Sequence, residues 1–176
     1  MYALASKLAS LPIISLQTGE AVAWTKQPLI DITKLEIIAF ECNAPQHRRP
    51  LVLMAQDIRQ VAADCLIVDS EDELSEPGDI VRLKSLLETK FSPLGKPVVA
   101  ESGRKLGTVD DYSINLQTSL VQKLHVRQSL LRAWLGTSLA IDRTQIIDVT
   151  PHRIVVRDAT IETPVMQPGT MPEARS

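Results

Sequence analysis

The acidic residues are the first candidates for chemistry in this sequence, because paired carboxylates can act as a general acid and a general base. Asp110 and Asp111 are adjacent. Neighbouring side chains of a strand point to opposite faces, so these two carboxylates do not converge on one cleft. His47, His125 and His152 lie far apart in the sequence, without the ligand spacing of a metal site. We therefore predict that the chain is not an enzyme and holds no metal or cofactor.

Glycine-rich phosphate loops are also missing from the sequence. Gly103 and Gly107 stand in the run ESGRKLG, which leads into a predicted strand rather than a helix. Such a loop lacks the helix N-terminal amides that hold a phosphate. We interpret Gly19 and Gly103 as turn residues, since glycine takes a positive φ freely, and Gly107 as a point of close packing. The sequence predicts structural roles for all three glycines.

Two predicted loops carry residues suited to capturing a partner. Arg48 and Arg49 are adjacent in one of them, and guanidinium groups there can hold an anion. A plain solvated loop is the alternative. The other loop, RQSLLRAWLGTS, holds Leu130, Leu131 and Trp134. Tryptophan is enriched at interface hot spots, while core packing is the alternative and the commoner fate of large apolar residues.

Composition limits the class of partner. The 176 residues have a formal net charge of −2, and aromatic residues make up 3%. Sequence-independent binding of nucleic acid needs a cationic surface, and binding of single-stranded bases needs aromatic side chains for stacking. The negative net charge and the low aromatic content therefore both argue against a nucleic-acid partner. Cys42 and Cys65 lie in apolar runs and are predicted to be buried thiols. No run reaches the roughly 18 apolar residues of a membrane span, and no signal peptide is recognisable, so we expect a cytoplasmic protein without membrane insertion.

The chain repeats a pattern along its length. The run GEAVAWTKQPLID from Gly19 aligns with the run GRKLGTVDDYSIN from Gly103, at a spacing of 84. DIRQVAADCLIV aligns with QIIDVTPHRIVV at a spacing of 88, so a loop of the second copy is slightly longer. Solenoid repeats are about 20–50 residues long, so this longer period predicts two copies of a small domain.

The segments between and after the copies have a different character. The run DIVRLKSLLETKF places apolar residues on one face at helical spacing, which predicts a short connecting helix. Beyond Ala159 the sequence is rich in proline and has no periodicity, which is typical of a disordered tail. We therefore expect a first domain at 1–75, a linker helix at 76–94, a second domain at 95–160 and a tail at 161–176. Many short strands with turns between them predict a mainly β fold.

The second copy resembles the PRC-barrel domain, a small β-barrel family that includes the cytoplasmic part of a photosynthetic reaction-centre subunit and a domain of ribosome-maturation factors. Gly103, Leu106, Gly107 and Val109 match the turn and strand of its hallmark, and an apolar bridge and strand follow in QIIDVTPHRIVV. The first copy matches at Gly19 and Val22, with Ala23 and Thr25 at the other two hallmark positions. The resemblance implies two PRC-like barrels in tandem, joined by a short helix.

That resemblance carries over no catalytic residue. It implies a prokaryotic protein-interaction or assembly module that binds another protein or a second copy of itself as a homodimer. The partner-binding residues predicted from the sequence are Arg48, Arg49, Leu130, Leu131 and Trp134. Two alternatives remain: an RNA- or ribosome-associated processing factor, by analogy with the family, and a small-molecule-binding barrel.

Overall fold

A computed structural model describes residues 2–79, 83–128 and 139–158. The protein is mainly β, which confirms the predicted class, and its strands form one continuous curled sheet. One short helix, α1, spans Lys84–Thr89. In chain order the described strands are β1 (Tyr2–Leu4), β2 (Pro12–Ser15), β3 (Ala21–Asp31), β4 (Glu36–Asn43), β5 (Leu51–Met54), β6 (Gln60–Val61), β7 (Leu66–Val68), β8 (Leu74–Ser75), β9 (Pro97–Ala100), β10 (Lys105–Asn115), β11 (Leu120–Arg127), β12 (Leu139–Asp142), β13 (Ile146–Val149) and β14 (Ile154–Val156).

Two groups of strands follow the same order of pairing; we call β2–β7 the first strand set and β9–β14 the second strand set. In the first set, β2, β3, β4 and β5 are successive antiparallel neighbours, and β2 also pairs in parallel with β7. In the second, β9, β10, β11 and β12 are successive antiparallel neighbours, and β9 pairs in parallel with β14. Register shifts fall between Thr25 and Gln27 in the first set and between Val109 and Asp111 in the second.

The two strand sets join where β4 and β11 begin. Leu120 pairs with Glu36, and reciprocal backbone bonds flank that pair. The Ile37 amide donates to the Ser119 carbonyl at 2.8 Å, and the Val121 amide donates to the Leu35 carbonyl at 2.9 Å. The paired positions are equivalent ones in the two aligned copies of the sequence. The sheet therefore crosses from one set to the other through matching positions.

A single arginine reinforces this junction. The Arg143 guanidinium donates to the carbonyl of Val121 at 3.3 Å and to that of Leu35 at 3.5 Å, and it also donates to the carbonyl of Lys34. Lys34 and Leu35 belong to the first half of the chain, whereas Val121 lies at the start of β11 in the second set. Arg143 thus ties backbone groups of both strand sets together.

The core is aliphatic, because the sequence has few aromatic residues to fill it. One large cluster runs through both strand sets and includes Ile13, Leu66, Leu124 and Ile154. A smaller cluster lies on the other face of the first set, where Leu83 packs against strands β3, β4 and β5. The helix α1 contributes its partly buried leucines to this second cluster.

In the part of the connecting segment that the structure describes, the helix is shorter than the sequence predicts. Only Lys84–Thr89 is α-helical among the described residues of the predicted linker helix at 76–94, after a 3-10 turn at Pro77–Asp79. Lys90 ends the helix in a left-handed conformation, with a φ of 40°. Phe91 therefore lies beyond the helix, although it is buried in the large core cluster.

The cysteines are both unpaired. Cys42 is buried, as predicted, whereas Cys65 is only partly buried, because it precedes β7 in a turn. Burial raises the pKa of the Cys42 thiol to about 12. The thiolate is the reactive form of cysteine, so Cys42 is an inert core residue.

Candidate functional site

A groove lies on the second strand set, with a volume of about 900 Å³. Its walls come from β9, β10 and β11 and from the residue just before β14, and we call it the basic groove. Pro97, Val98 and Val99 give it an apolar side. Its charged lining residues are Lys105, Arg127 and Arg153.

Gly107 is one of the residues that line the basic groove. β10 passes so close to β11 there that a Cβ atom at Gly107 would lie 2.2 Å from the Arg127 carbonyl oxygen. Its φ of 154° is also one that L side chains rarely adopt. A glycine at this position therefore allows β10 and β11 to approach each other closely beside the basic groove.

The groove has an excess of positive charge. Arg127 lies 3.4 Å from the Asp110 carboxylate, and both side chains are largely exposed. Lys105 and Arg153 have no ion pair among the described residues. An apolar wall beside two unpaired cations suits an extended chain that carries acidic side chains. The sequence offers no local signal for this groove, because its three cations are far apart along the chain and meet only in the folded sheet.

The predicted arginines of the first half lie elsewhere. Arg48 and Arg49 occupy the loop between β4 and β5 and do not line the basic groove. The Arg49 guanidinium lies 3.6 Å from the Glu76 carboxylate, in the acidic segment after β7. Exposed ion pairs of this kind contribute little to stability, so Arg49 stays accessible to a competing anion.

The other predicted partner residues, Leu130, Leu131 and Trp134, lie outside the described residues. Gln128, the last described residue before them, lines the basic groove. Their role in partner binding stays a prediction.

Two of the three predicted glycines, Gly19 and Gly103, occupy turns, whereas Gly107 lies within β10. Gly19 and Gly103 have φ values of 72° and 85°, and both stand in the turns that lead into β3 and β10. A Cβ atom at either position would meet nothing within 4 Å. Their constraint is therefore conformational, whereas that of Gly107 is also steric.

A serine and a histidine that the sequence does not bring together are in contact on β10 and β11. The Ser113 hydroxyl lies 2.7 Å from His125 Nε2. In a hydrolase this contact would be the first link of a nucleophilic triad. Asp111, the register partner of His125, instead accepts hydrogen bonds from the amide and hydroxyl of Ser6, the latter at 2.7 Å. The carboxylate is thus engaged by Ser6, and the pair fits a cross-strand structural contact.

Glu41 is the one acidic residue among the buried described positions, with 4% of its surface exposed. Its carboxylate accepts hydrogen bonds from Lys26 Nζ and Gln27 Nε2, both at 2.7 Å, and Lys90 Nζ lies 3.9 Å away. Burial alone would raise the pKa of Glu41, but these partners outweigh it and hold the pKa below the ordinary value of 4.5. The carboxylate is therefore charged in the native protein at neutral pH.

This shift makes stability depend on pH. Since the folded pKa of Glu41 lies below the unfolded one, its contribution is complete above the ordinary pKa of 4.5 and is lost as the pH falls through the folded value. We expect the Glu41→Gln variant to show a smaller change in unfolding free energy between about pH 6 and about pH 3 than the unsubstituted protein. Urea denaturation at several pH values across this range measures the unfolding free energy of each protein. Glu101→Gln, at an exposed position, is the control and should keep the original slope; equal slopes for both variants would contradict the assignment.

No metal centre is evident in the described part of the chain, where no three His, Cys, Asp or Glu side chains group as ligands. None of its described helices is long and apolar enough to cross a membrane. Comparison with protein-family models and with curated proteins finds no match for this chain. The assignment of a function therefore depends on the fold and on the basic groove.

Proposed function

We propose that this protein is a non-catalytic binding module that captures an acidic, extended segment of a partner protein in the basic groove. The observation that carries the proposal is an apolar wall at Pro97–Val99 beside Lys105 and Arg153, two cations that form no ion pair within the described part of the chain. An extended segment places alternate side chains on opposite faces. One face would pack on the apolar wall while acidic residues reach the cations.

We further propose that the two strand sets are PRC-like barrels in tandem joined by a short helix. The common order of strand pairing, and register shifts at equivalent positions of the two aligned copies, support a duplicated domain. The resemblance in sequence supports the family, whose members include assembly modules. Both cysteines are unpaired, which suits the reducing cytoplasm of a prokaryote.

Reversing the charge of the groove should abolish capture of the partner. We expect the double variant Lys105→Glu/Arg153→Glu to bind the partner at least tenfold more weakly at about 50 mM salt, because two attractive charges become repulsive. The full-length chain is used as bait in native lysate, and a captured protein is then purified and titrated by fluorescence anisotropy. Raising the salt to about 300 mM should weaken the complex of the unsubstituted protein, since surface charges are screened. The difference in affinity between the unsubstituted protein and the double variant should therefore become smaller.

A double variant with the same change in charge is the control. Lys7→Glu/Lys34→Glu alters two exposed lysines that do not line the basic groove, so it should leave the affinity unchanged. Arg48→Glu/Arg49→Glu and Trp134→Ala test whether the partner also contacts the partner-binding residues predicted from the sequence. If it does, each variant weakens the same complex without unfolding the chain.

Three results would contradict the proposal. The first is a partner that binds the groove variant and the control equally. The second is capture of ribosomal RNA that disappears with nuclease and with salt, which favours the RNA-associated alternative. The third is self-association as the sole complex, seen as a concentration-dependent mass in sedimentation, which favours homodimer formation.

A further inference from the structure

A second cavity lies between the two strand sets, away from the basic groove. Its volume is about 220 Å³, and we call it the seam cavity. The first strand set contributes Leu29, the second contributes Tyr112, and the segment after α1 contributes Phe91 and Leu94. Ala5 adds to its apolar lining from the 3-10 turn after β1. Cavities between domains are common positions for small ligands.

The charged residues that line the seam cavity are both lysines. Lys26 and Lys90 share the carboxylate of Glu41, which Lys26 contacts at 2.7 Å and Lys90 at 3.9 Å. Glu41 itself is buried and does not line the cavity. The single negative charge of Glu41 cannot balance the two positive charges of Lys26 and Lys90, so a net positive charge remains beside the seam cavity. Asp111, the nearest other acid in sequence to Tyr112, is bonded to Ser6 and also does not line the cavity.

Tyr112 supplies a hydroxyl that has no hydrogen-bond partner among the described residues. Its side chain is 1% exposed, and no described residue forms a hydrogen bond with its hydroxyl. Among the described residues, the sole fully enclosed side-chain oxygen or nitrogen without a partner is Ser15 Oγ. Tyr112 is one of the residues that line the seam cavity. Burial raises the pKa of Tyr112, so the hydroxyl keeps its proton and can donate.

We propose that the seam cavity binds a small monocarboxylate with an apolar body, such as an aromatic or branched-chain carboxylic acid. The apolar body packs between Leu29, Phe91 and Tyr112. The carboxylate accepts a hydrogen bond from the Tyr112 hydroxyl and balances the charge that Glu41 leaves on the two lysines. The volume limits the ligand to about ten non-hydrogen atoms, since drug-sized ligands need pockets of about 300 Å³ or more.

Benzoate is a suitable probe, and the test follows backbone amides by two-dimensional ¹H–¹⁵N NMR on the full chain. We expect saturable shifts at the amides of Lys26, Leu29, Lys90, Phe91 and Tyr112, with a dissociation constant of about 1 mM, as small ligands of this size reach. Benzamide, which has the same body without the charge, should bind at least fivefold more weakly. Acetate, which has the charge without the body, should also bind at least fivefold more weakly.

Two variants test the polar groups. Tyr112→Phe removes one oxygen that has no partner among the described residues, so the fold should be kept, and benzoate should bind about fivefold more weakly. Lys90→Met should weaken binding by a similar factor, whereas Lys34→Met, away from the seam cavity, should leave it unchanged. Thermal unfolding of each variant shows whether it is folded.

The proposal is overturned by an absence of saturable shifts up to about 20 mM benzoate, well above the expected dissociation constant. It is equally overturned by shifts that cluster away from the seam cavity, by benzamide binding as tightly as benzoate, or by folded Tyr112→Phe and Lys90→Met variants that bind benzoate normally. None of these results bears on capture of a protein in the basic groove, because the two sites share no lining residue.

Discussion

Replacing Gly107 by alanine is expected to destabilise the protein by about 3 kcal/mol or more. The new Cβ atom would lie 2.2 Å from the Arg127 carbonyl oxygen and 2.9 Å from both the Arg127 carbonyl carbon and Val126 Cγ1. Two of these three atoms belong to the backbone of a central strand, which cannot move without loss of its pairing. The φ of 154° adds a conformational penalty for any residue with a side chain.

The measurement is thermal and urea unfolding of a matched glycine series. For a chain of this size, about 3 kcal/mol corresponds to a melting temperature roughly 6–12 °C lower. Gly103→Ala has a positive φ but open space around it, so it should cost about 1 kcal/mol. Gly78→Ala has open space and no positive φ and should be close to neutral. A Gly107→Ala variant no less stable than Gly103→Ala would show that the two strands can separate at low cost.

Replacing Arg143 by alanine is expected to weaken the junction of the two strand sets by about 2 kcal/mol, because three backbone carbonyls lose their donor. A typical intramolecular hydrogen bond contributes about 0.5–1.5 kcal/mol net, and two of these three are long, at 3.3 and 3.5 Å. Arg143→Lys should restore part of the loss, since one ammonium group cannot reach all three carbonyls with the geometry of a guanidinium. Urea unfolding measures the loss.

Hydrogen exchange separates a junction effect from a general one. The amides of Ile37 and Val121 cross between the strand sets, so their exchange should accelerate more in Arg143→Ala than that of core amides within either set. Arg157→Ala, which alters an exposed arginine just after β14, is the control and should change neither exchange rate. Uniform acceleration of all amides would indicate that Arg143 stabilises the whole fold rather than the junction.

The local elements of this fold are the part that the sequence predicts. Turn-bounded runs of the sequence predict β10 and β14, and the aligned runs from Gly19 and Gly103 become β3 and β10 with their preceding turns. The predicted strand AVAW is only the start of β3, which continues past Pro28 to Asp31. The helix is the exception. Its apolar spacing continues to Phe91, but Lys90 adopts a left-handed conformation and Phe91 enters the large core cluster instead. Tertiary burial of one aromatic residue outweighs the helical period there.

The contacts between distant segments are the part that the sequence does not predict. Leu120 and Glu36 pair although they belong to different halves of the chain, and no local pattern marks either residue as a junction. From the sequence alone, Arg143 would be predicted to be a solvated charge. In the structure it donates to three carbonyls from two segments of the chain. Nor does the sequence predict the convergence of Lys105, Arg127 and Arg153 on one groove, which depends on how the sheet curls. The sequence shows which charged side chains are present, but it does not predict which of them lie close together in the folded protein.

The reciprocal bonds at the junction make it self-complementary: Ile37 reaches Ser119 as Val121 reaches Leu35. Such an interface is the kind that two identical subunits form about a two-fold axis. Within one polypeptide, aligned positions on the two sides can carry different residues. Arg143 aligns with Ala55, and Gly107 aligns with Ala23. The two sides of this junction therefore differ in side chains, which the two sides of a homodimer cannot do.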